Sequence, residues 1–338
     1  MTRRHLGLAA ALLFALPLSV AAGSLSAFFR TAPAIKGIDY KSLEFTCSRE
    51  EDHVPTPTPE AEALFQRARD AHNRATAGER LDKPLMQQAM DDYRRAAEAG
   101  HWKAVRNLAY LHMQGLKDES GGKPFLRADS DKTLPYVRKL IDMNVATGYA
   151  LMASFAAEGW GVRQDDKAAK IYQRRAADLG HVPSQQHLGR VFLLNFNKLP
   201  PKERDQIVEI GRKMLACAVR QGDREAALDL AIEYEVDDNY PYALFYYQQG
   251  AKMGDGACLL ALEKWFTEGQ FGYAPDPKRA RLYRAYNDRT DRPGAGHFPD
   301  LDKEIPLPPP PKGGAYPPPE AGWPSQWSNP VQTPGDNG

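Results

Sequence analysis

The stretch EGWGVRQDDKAAKIYQRRAADLG, residues 158–180, admits two opposed readings. Its glycines at 159 and 161, followed by a helix-forming run, suggest a loop that cradles a phosphate ahead of a helix. The same residues also suit a joint between packed helices. A phosphate loop needs a strand before its glycines and a Lys-Ser/Thr pair after them. Neither is present, and the second reading is tested by asking whether the pattern recurs.

It recurs. A helix-forming run closes on Gly100, Asn144, Gly180, Gly222 and Gly254, and another run starts directly after each. Four residues beyond stand Ala104, Gly148, Ser184, Ala226 and Cys258, all small; eight beyond stand Leu108, Met152, Leu188, Leu230 and Leu262, all large and apolar. Four residues before stand Ala96, Leu140, Ala176, Ala218 and Gly250. A spacing of roughly 30–45 residues signals an array of helical hairpins, none able to bury its apolar face alone. Gly or Asn at the joint takes the left-handed backbone that closes a helix. The small residues let two helix axes approach, and the Leu or Met fills the gap. No sustained alternation of apolar and polar residues marks a strand. The expectation is an all-α superhelical solenoid of about five to six helical hairpins over residues 59–290, a scale set by such repeats. An irregular segment, residues 23–58, precedes it, and a Pro-rich tail, residues 291–338, follows.

Gly159, Gly161, Val162, Asp165, Lys167, Ala168, Tyr172, Ala176, Ala177, Gly180, Ser184 and Leu188 together resemble the Sel-one-like repeat pattern, a relative of the tetratricopeptide repeat. The copy carries one extra residue between Tyr172 and Ala176, and Ser where the pattern has Ala at 184. LEFTCSREEDHVPTPTPEAEALFQRAR before the repeats and PDLDKEIPLPPPP after them resemble the flanks of a bacterial envelope subfamily. Some members of that subfamily are encoded beside phospholipase effectors of type VI secretion and act as their immunity proteins. The resemblance therefore implies a non-enzymatic, protein-binding immunity protein. Beyond Pro311 the tail departs from the family ending.

The ends carry their own signals. Arg3 and Arg4 precede an apolar run from Leu6 to about Ala22, closed by Val20-Ala21-Ala22. Residues 1–22 read as a secretory signal peptide, which implies a periplasmic protein with no stable membrane insertion after its removal. A retained anchor is the competing reading; the run is short for a span and Pro17 interrupts it. Thr58, Pro59, Glu60 and Glu62 suit the start of the first helix. In the tail, prolines forbid helix interior, and Ile305, Leu307, Trp323 and Trp327 offer contacts to the domain. A docking motif for a proline-reading module is the alternative.

Little chemistry shows. With 44 basic and 43 acidic residues, the chain has no net field to gather nucleic acid. Three cysteines exclude a disulfide scaffold, and no paired spacing suggests zinc. One bridge is open to them; Cys258 fills a small-residue slot, which leaves Cys47 and Cys217 as the pair. His101 and His181 follow joint glycines and are expected to face water; Asp165-Asp166 and Asp237-Asp238 read as turn or cap residues. No cofactor, metal set or catalytic set is expected.

One pattern exceeds the scaffold. Six and five residues before successive joints stand Arg94-Arg95, Arg138-Lys139, Arg174-Arg175, Ala216-Cys217 and Gln248-Gln249. Stacked hairpins repeat their faces, so these rungs would align as a stripe for an acidic partner surface. A solvated face, with long side chains covering apolar surface, is the alternative. The functional expectation is a periplasmic repeat scaffold that binds a phospholipase effector, with an envelope signalling or assembly adaptor as the second reading.

Overall fold

The structure, a computed structural model, describes residues 30–35, 39, 41–117, 123–195, 200–290, 296–311 and 314–317. The signal-peptide reading of residues 1–22 and the expected contacts of Trp323 and Trp327 lie outside these residues. Helices follow one another as α1 Pro59–Thr76, α2 Lys83–Glu98, α3 Trp102–Gln114, α4 Ser130–Asp142, α5 Ala146–Glu158 and α6 Asp166–Asp178. They continue as α7 Val182–Asn195, α8 Pro201–Arg220, α9 Arg224–Val236, α10 Tyr240–Lys252, α11 Gly256–Glu268 and α12 Pro277–Thr290, with a short α13 Leu301–Glu304. Among the described residues the only β feature is one isolated bridge between Leu116 and Leu126. None of their helices is long and apolar enough to cross a membrane. The fold is an all-α repeat solenoid.

The five joints share one geometry. Gly100, Asn144, Gly180, Gly222 and Gly254 all have positive φ, from 58° to 93°. At each, the joint N–H returns to the carbonyl three residues back, and the next N–H to the carbonyl five back. At Gly180 these bonds are Gly180 N to Ala177 O, 3.1 Å, and His181 N to Ala176 O, 2.9 Å. That is the Schellman closure, which satisfies helix-end carbonyls that would otherwise be orphaned. Asp238, with φ of 57°, closes α9 the same way.

The residue after each joint opens the next helix. Asp223 and Asp255 accept from Ala226 N at 2.9 Å and Cys258 N at 2.8 Å. His101 and His181 do the same through Nδ1, from Ala104 N and Ser184 N, both at 3.3 Å. His101 therefore does not face water as expected: it is fully buried, stacked on Phe65 with ring centroids 4.2 Å apart, while His181 is half-buried. A capping imidazole must point its nitrogen into the helix start, which carries the ring inward.

The opening stretch is a joint of the second kind. Gly159 and Gly161 have φ of 75° and 69°, Asp165 N returns to Ala156 O at 2.8 Å, and Asp165 caps α6 through Ala168 N at 2.9 Å. The α11–α12 connection repeats this with Gly269, Gly272 and Asp276, whose N–H reaches Phe266 O at 2.7 Å.

Small residues set the helix spacing. A Cβ placed on Gly148 would lie 2.5 Å from Leu140 Cβ, and one on Gly250 2.3 Å from Cys258 Sγ. Ala104, Ala226, Cys258, Leu108, Met152, Leu230 and Leu262 are fully buried; Leu188, at the equivalent position, is half-buried. Helices pack most extensively on the partner across the connections that are not these five joints, α1 on α2, α3 on α4 and onward to α11 on α12. The five small-residue joints thus stack one such pair on the next. Two apolar cores result, one centred on Tyr93, Leu108, Met152 and Tyr172, the other on Leu230, Leu262, Trp265 and Tyr283.

Candidate protein-binding face

The even-numbered helices place their rung residues on one face, and the chain's own ends lie across much of it. Residues 30–35, 39 and 41–57 form an arm. Tyr172 on α6 donates its hydroxyl to Pro33 O at 2.6 Å; Arg174 donates to Ser42 O at 2.6 Å and to Glu44 O. The same guanidinium holds Asp178 at 2.9 Å and is 3% exposed. Burying an arginine is tolerable only with such complete pairing. Further along, Gln185 and Gln221 both donate to Ser48 O, at 3.2 and 3.3 Å. Ser48 Oγ donates to Asp178 O at 2.8 Å.

Covalent and capping contacts complete the seat. Cys47 of the arm is joined to Cys217 of α8 by a disulfide. At the joint whose cap position holds Val145, the arm supplies the missing acceptor: Thr147 N donates to Glu50 Oε1 at 2.5 Å. Burial pushes the Glu50 carboxyl above its usual range, and the Thr147 N–H opposes that shift. The arm backbone passes so near Gly180 that an added Cβ would sit 2.3 Å from Arg49 C.

The other end behaves likewise. Gln248 on α10 is fully buried, donating to Ile305 O at 2.9 Å and Asp302 Oδ1 at 3.1 Å while accepting from Tyr283 Oη at 2.6 Å. Lys252 pairs with Asp302, and Arg279 on α12 donates to Pro306 O. Phe298, Leu301 and Ile305 join the second core, with Leu307 packed at its edge.

The rungs therefore do not form one open stripe. Arg174 and Gln248 are consumed by arm and tail, because main-chain carbonyls of Ser42 and Glu44 in the arm and of Ile305 at the end of α13 accept from donors on that face. Arg175 donates to Asn144 Oδ1 at 3.2 Å and lies over the Tyr149 ring at 5.8 Å; Lys139 donates to Ala97 O at 2.6 Å. Gln249 is half-buried. Arg95 and Arg138 are exposed and Arg94 is partly so: Arg94 pairs with Asp91, and Arg95 reaches Asp92 at 3.4 Å. Asp92 is itself buried and held well below the usual carboxylate range by Arg67, bonded twice at 2.6 Å.

Between α2 and α4, where no described part of arm or tail reaches the rung, a cleft of about 560 Å³ opens. Arg94 and Lys132 bring charge to it, and Met90, Phe125 and Tyr136 line its walls. On the odd-numbered helices Leu194, Ile232, Val236 and Leu260 are the exposed large apolar residues. Among the described residues no three His, Cys, Asp or Glu side chains gather as a metal set. Cys258 is buried and its thiol pKa is pushed up by that burial, the reverse of an activated nucleophile.

Sequence reasoning placed Ile305 and Leu307 against the domain, as the second core shows, but missed the polar seats that the helices offer to arm and tail. Cys47 in an otherwise irregular segment, and Ile305 and Leu307 among prolines, were the available signals.

No protein-family model matches the chain, and no curated protein does. Solved structures do. The chain is similar to the immunity protein PA5088 from Pseudomonas aeruginosa at 30% identity, over 80% of this chain and 96% of that one, with a TM-score of 0.55. It is similar to the immunity protein Pa5087 from the same organism at 30% identity, over 80% and 97%, with a TM-score of 0.52. A Sel1 repeat protein from Oxalobacter formigenes shares the fold at 18% identity, over 69% and 91%, with a TM-score of 0.51.

Proposed function

Since the chain belongs to the Sel-one-like repeat family, in the branch that holds these immunity proteins, we propose that it is itself an immunity protein. In this reading it is a non-enzymatic scaffold that binds one phospholipase effector of type VI secretion in the periplasm and blocks it. The observation that carries the reading is similarity over nearly the whole length of a solved immunity protein, at 30% identity and 96% coverage of that chain. The Cys47–Cys217 disulfide supports an oxidising compartment. Neutralising a toxin requires a dissociation constant near or below nanomolar, about −12 kcal/mol. An interface of roughly 1,600 Å² is the usual scale for that, and a face shared by several stacked helices can supply it.

The test is co-expression with a type VI phospholipase effector from the same genome, secreted to the periplasm, followed by a vesicle-hydrolysis assay with both proteins purified. Survival and stoichiometric inhibition are expected. Undiminished hydrolysis at a large excess of this protein would overturn the reading and favour an envelope adaptor.

A further inference from the structure

The face that holds the arm and tail recognises main chain. Tyr172, Arg174, Gln185 and Gln221 donate to carbonyls of Pro33, Ser42, Glu44 and Ser48; Gln248 and Arg279 donate to those of Ile305 and Pro306. Such bonds fix an extended segment without reading its sequence, and pockets beside them supply selectivity. Arg94 and Arg138 occupy on α2 and α4 the positions that Arg174 and Gln248 occupy on α6 and α10. No described segment covers them.

We propose that this open end of the face, centred on the cleft between α2 and α4, docks an extended segment of the protein partner with a carboxylate side chain seated in the cleft. The inference rests on the protein-binding reading above and names the chemistry of that contact. A cleft of about 560 Å³ is the size for one or two side chains rather than a helix laid lengthwise. Arg94 and Lys132 are its cations, 40% and 63% exposed at the side chain. Arg94 is paired with the exposed Asp91, and Lys132 at 3.7 Å with Asp129, a partly buried residue whose other carboxylate oxygen caps α4. Exposed pairs of this kind hold weakly, so an incoming carboxylate displaces them at small cost and gains a less hydrated setting.

The rest of the cleft fits an apolar stem behind that charge. Met90, Phe125, Leu126 and Pro135 form walls. His112 is 6% exposed and stacked on Tyr136, rings 5.6 Å apart at 7°, and its Nδ1 is buried with no partner. Burial lowers the His112 pKa, and Lys132 and Arg94 lower it further against the opposing Asp129.

Selection of a display library of short linear peptides on the full mature protein tests this directly. Peptides bearing Asp or Glu beside an apolar residue are expected to be enriched. Their affinity should fall about tenfold or more in the Arg94→Glu/Lys132→Glu variant. It should change little in Lys278→Glu, at the far end of the fold. Enriched peptides without acid, or equal binding to the double variant, overturn the proposal. If peptides bind only after residues 23–29 are removed, the chain's own segment is the occupant and the proposal likewise falls. The same variants against that phospholipase effector separate the two readings. Equal inhibition by wild type and double variant removes the cleft and keeps the immunity role. Acidic-peptide binding without any inhibition keeps the cleft and removes that role.

Discussion

Gly180 and Gly222 close equivalent helices with nearly the same backbone, φ of 92° and 93°, yet only one meets the arm. A Cβ on Gly222 would find nothing within 4 Å; on Gly180 it would lie 2.3 Å from Arg49 C and 2.4 Å from Glu50 N. Both are backbone atoms with nowhere to rotate. Gly222→Ala should therefore cost only the left-handed strain, about 1–2 kcal/mol. Gly180→Ala pays the same strain and also lifts the arm. The bonds then at risk are Ser48 to Asp178 O, Gln185 and Gln221 to Ser48 O, and Glu50 to Thr147 N. At about 0.5–1.5 kcal/mol for neutral bonds and 1.5–3 for the charged one, losing part of this set adds about 2–4 kcal/mol. Urea unfolding of the oxidised protein measures the sum, and amide exchange at residues 41–52 locates it. In a Cys47→Ala/Cys217→Ala background the arm is free to move away, and the gap between the two variants should shrink. The arm's seat would be refuted if Gly180→Ala and Gly222→Ala agreed within about 0.5 kcal/mol, the usual scatter for independent sites.

The Cys47–Cys217 bridge spans 170 residues, so its loss removes a constraint worth at most about 5 kcal/mol by chain entropy and typically 2–4; a reductant should lower the urea midpoint accordingly. His181 caps α7 through an unprotonated nitrogen, and burial holds its pKa at about 4, against about 6.5 unfolded. The unfolded chain takes up that proton first as pH falls, so this contribution is complete above pH 6.5 and is lost toward pH 4. Between pH 7 and 5 wild type should lose about 1–2 kcal/mol more than His181→Asn, which keeps a cap without the titration; equal losses would refute the assignment. Ala176 is fully buried beside its joint, and Ala176→Leu should destabilise by about 1–3 kcal/mol through overpacking, read as a lowered melting temperature.

The joints were legible because their chemistry is local. A left-handed residue, a small residue four places on and a large apolar one eight places on all act within a single turn–helix unit. The caps were half legible: Asp223 and Asp255 are ordinary caps, and comparing copies places His101 and His181 in the same role rather than in water. The rungs were legible in position and not in environment. Whether Arg174 meets solvent is decided by Ser42 and Glu44, 132 and 130 residues earlier in the chain. The arm has no periodicity, and apart from Cys47, whose pairing with Cys217 points to α8, nothing in its sequence states which helix it crosses. The copy with Val145 at the cap position was the one hint that an acceptor had to come from elsewhere, and Glu50 supplies it.

Arm and tail also change what kind of repeat array this is. In a simple solenoid each unit touches only its neighbours, and stability spreads as a chain of nearest-neighbour terms. Here the arm bonds to α5, α6, α7 and α8 in turn, through Thr147, Arg174, Gln185 and Cys217. Arg30 adds α4 through Asp131 at 2.7 Å. Those helices can no longer open one at a time without breaking a contact to a segment the others share. The tail does the same for α10 and α12 through Gln248 and Arg279. A face fixed in this way loses little freedom when a partner docks, and cutting that loss is how affinity is gained without adding area. On the docking proposed above, the cross-linking would hold α4 in place as one wall of the cleft, while the arm itself occupies the rungs further on.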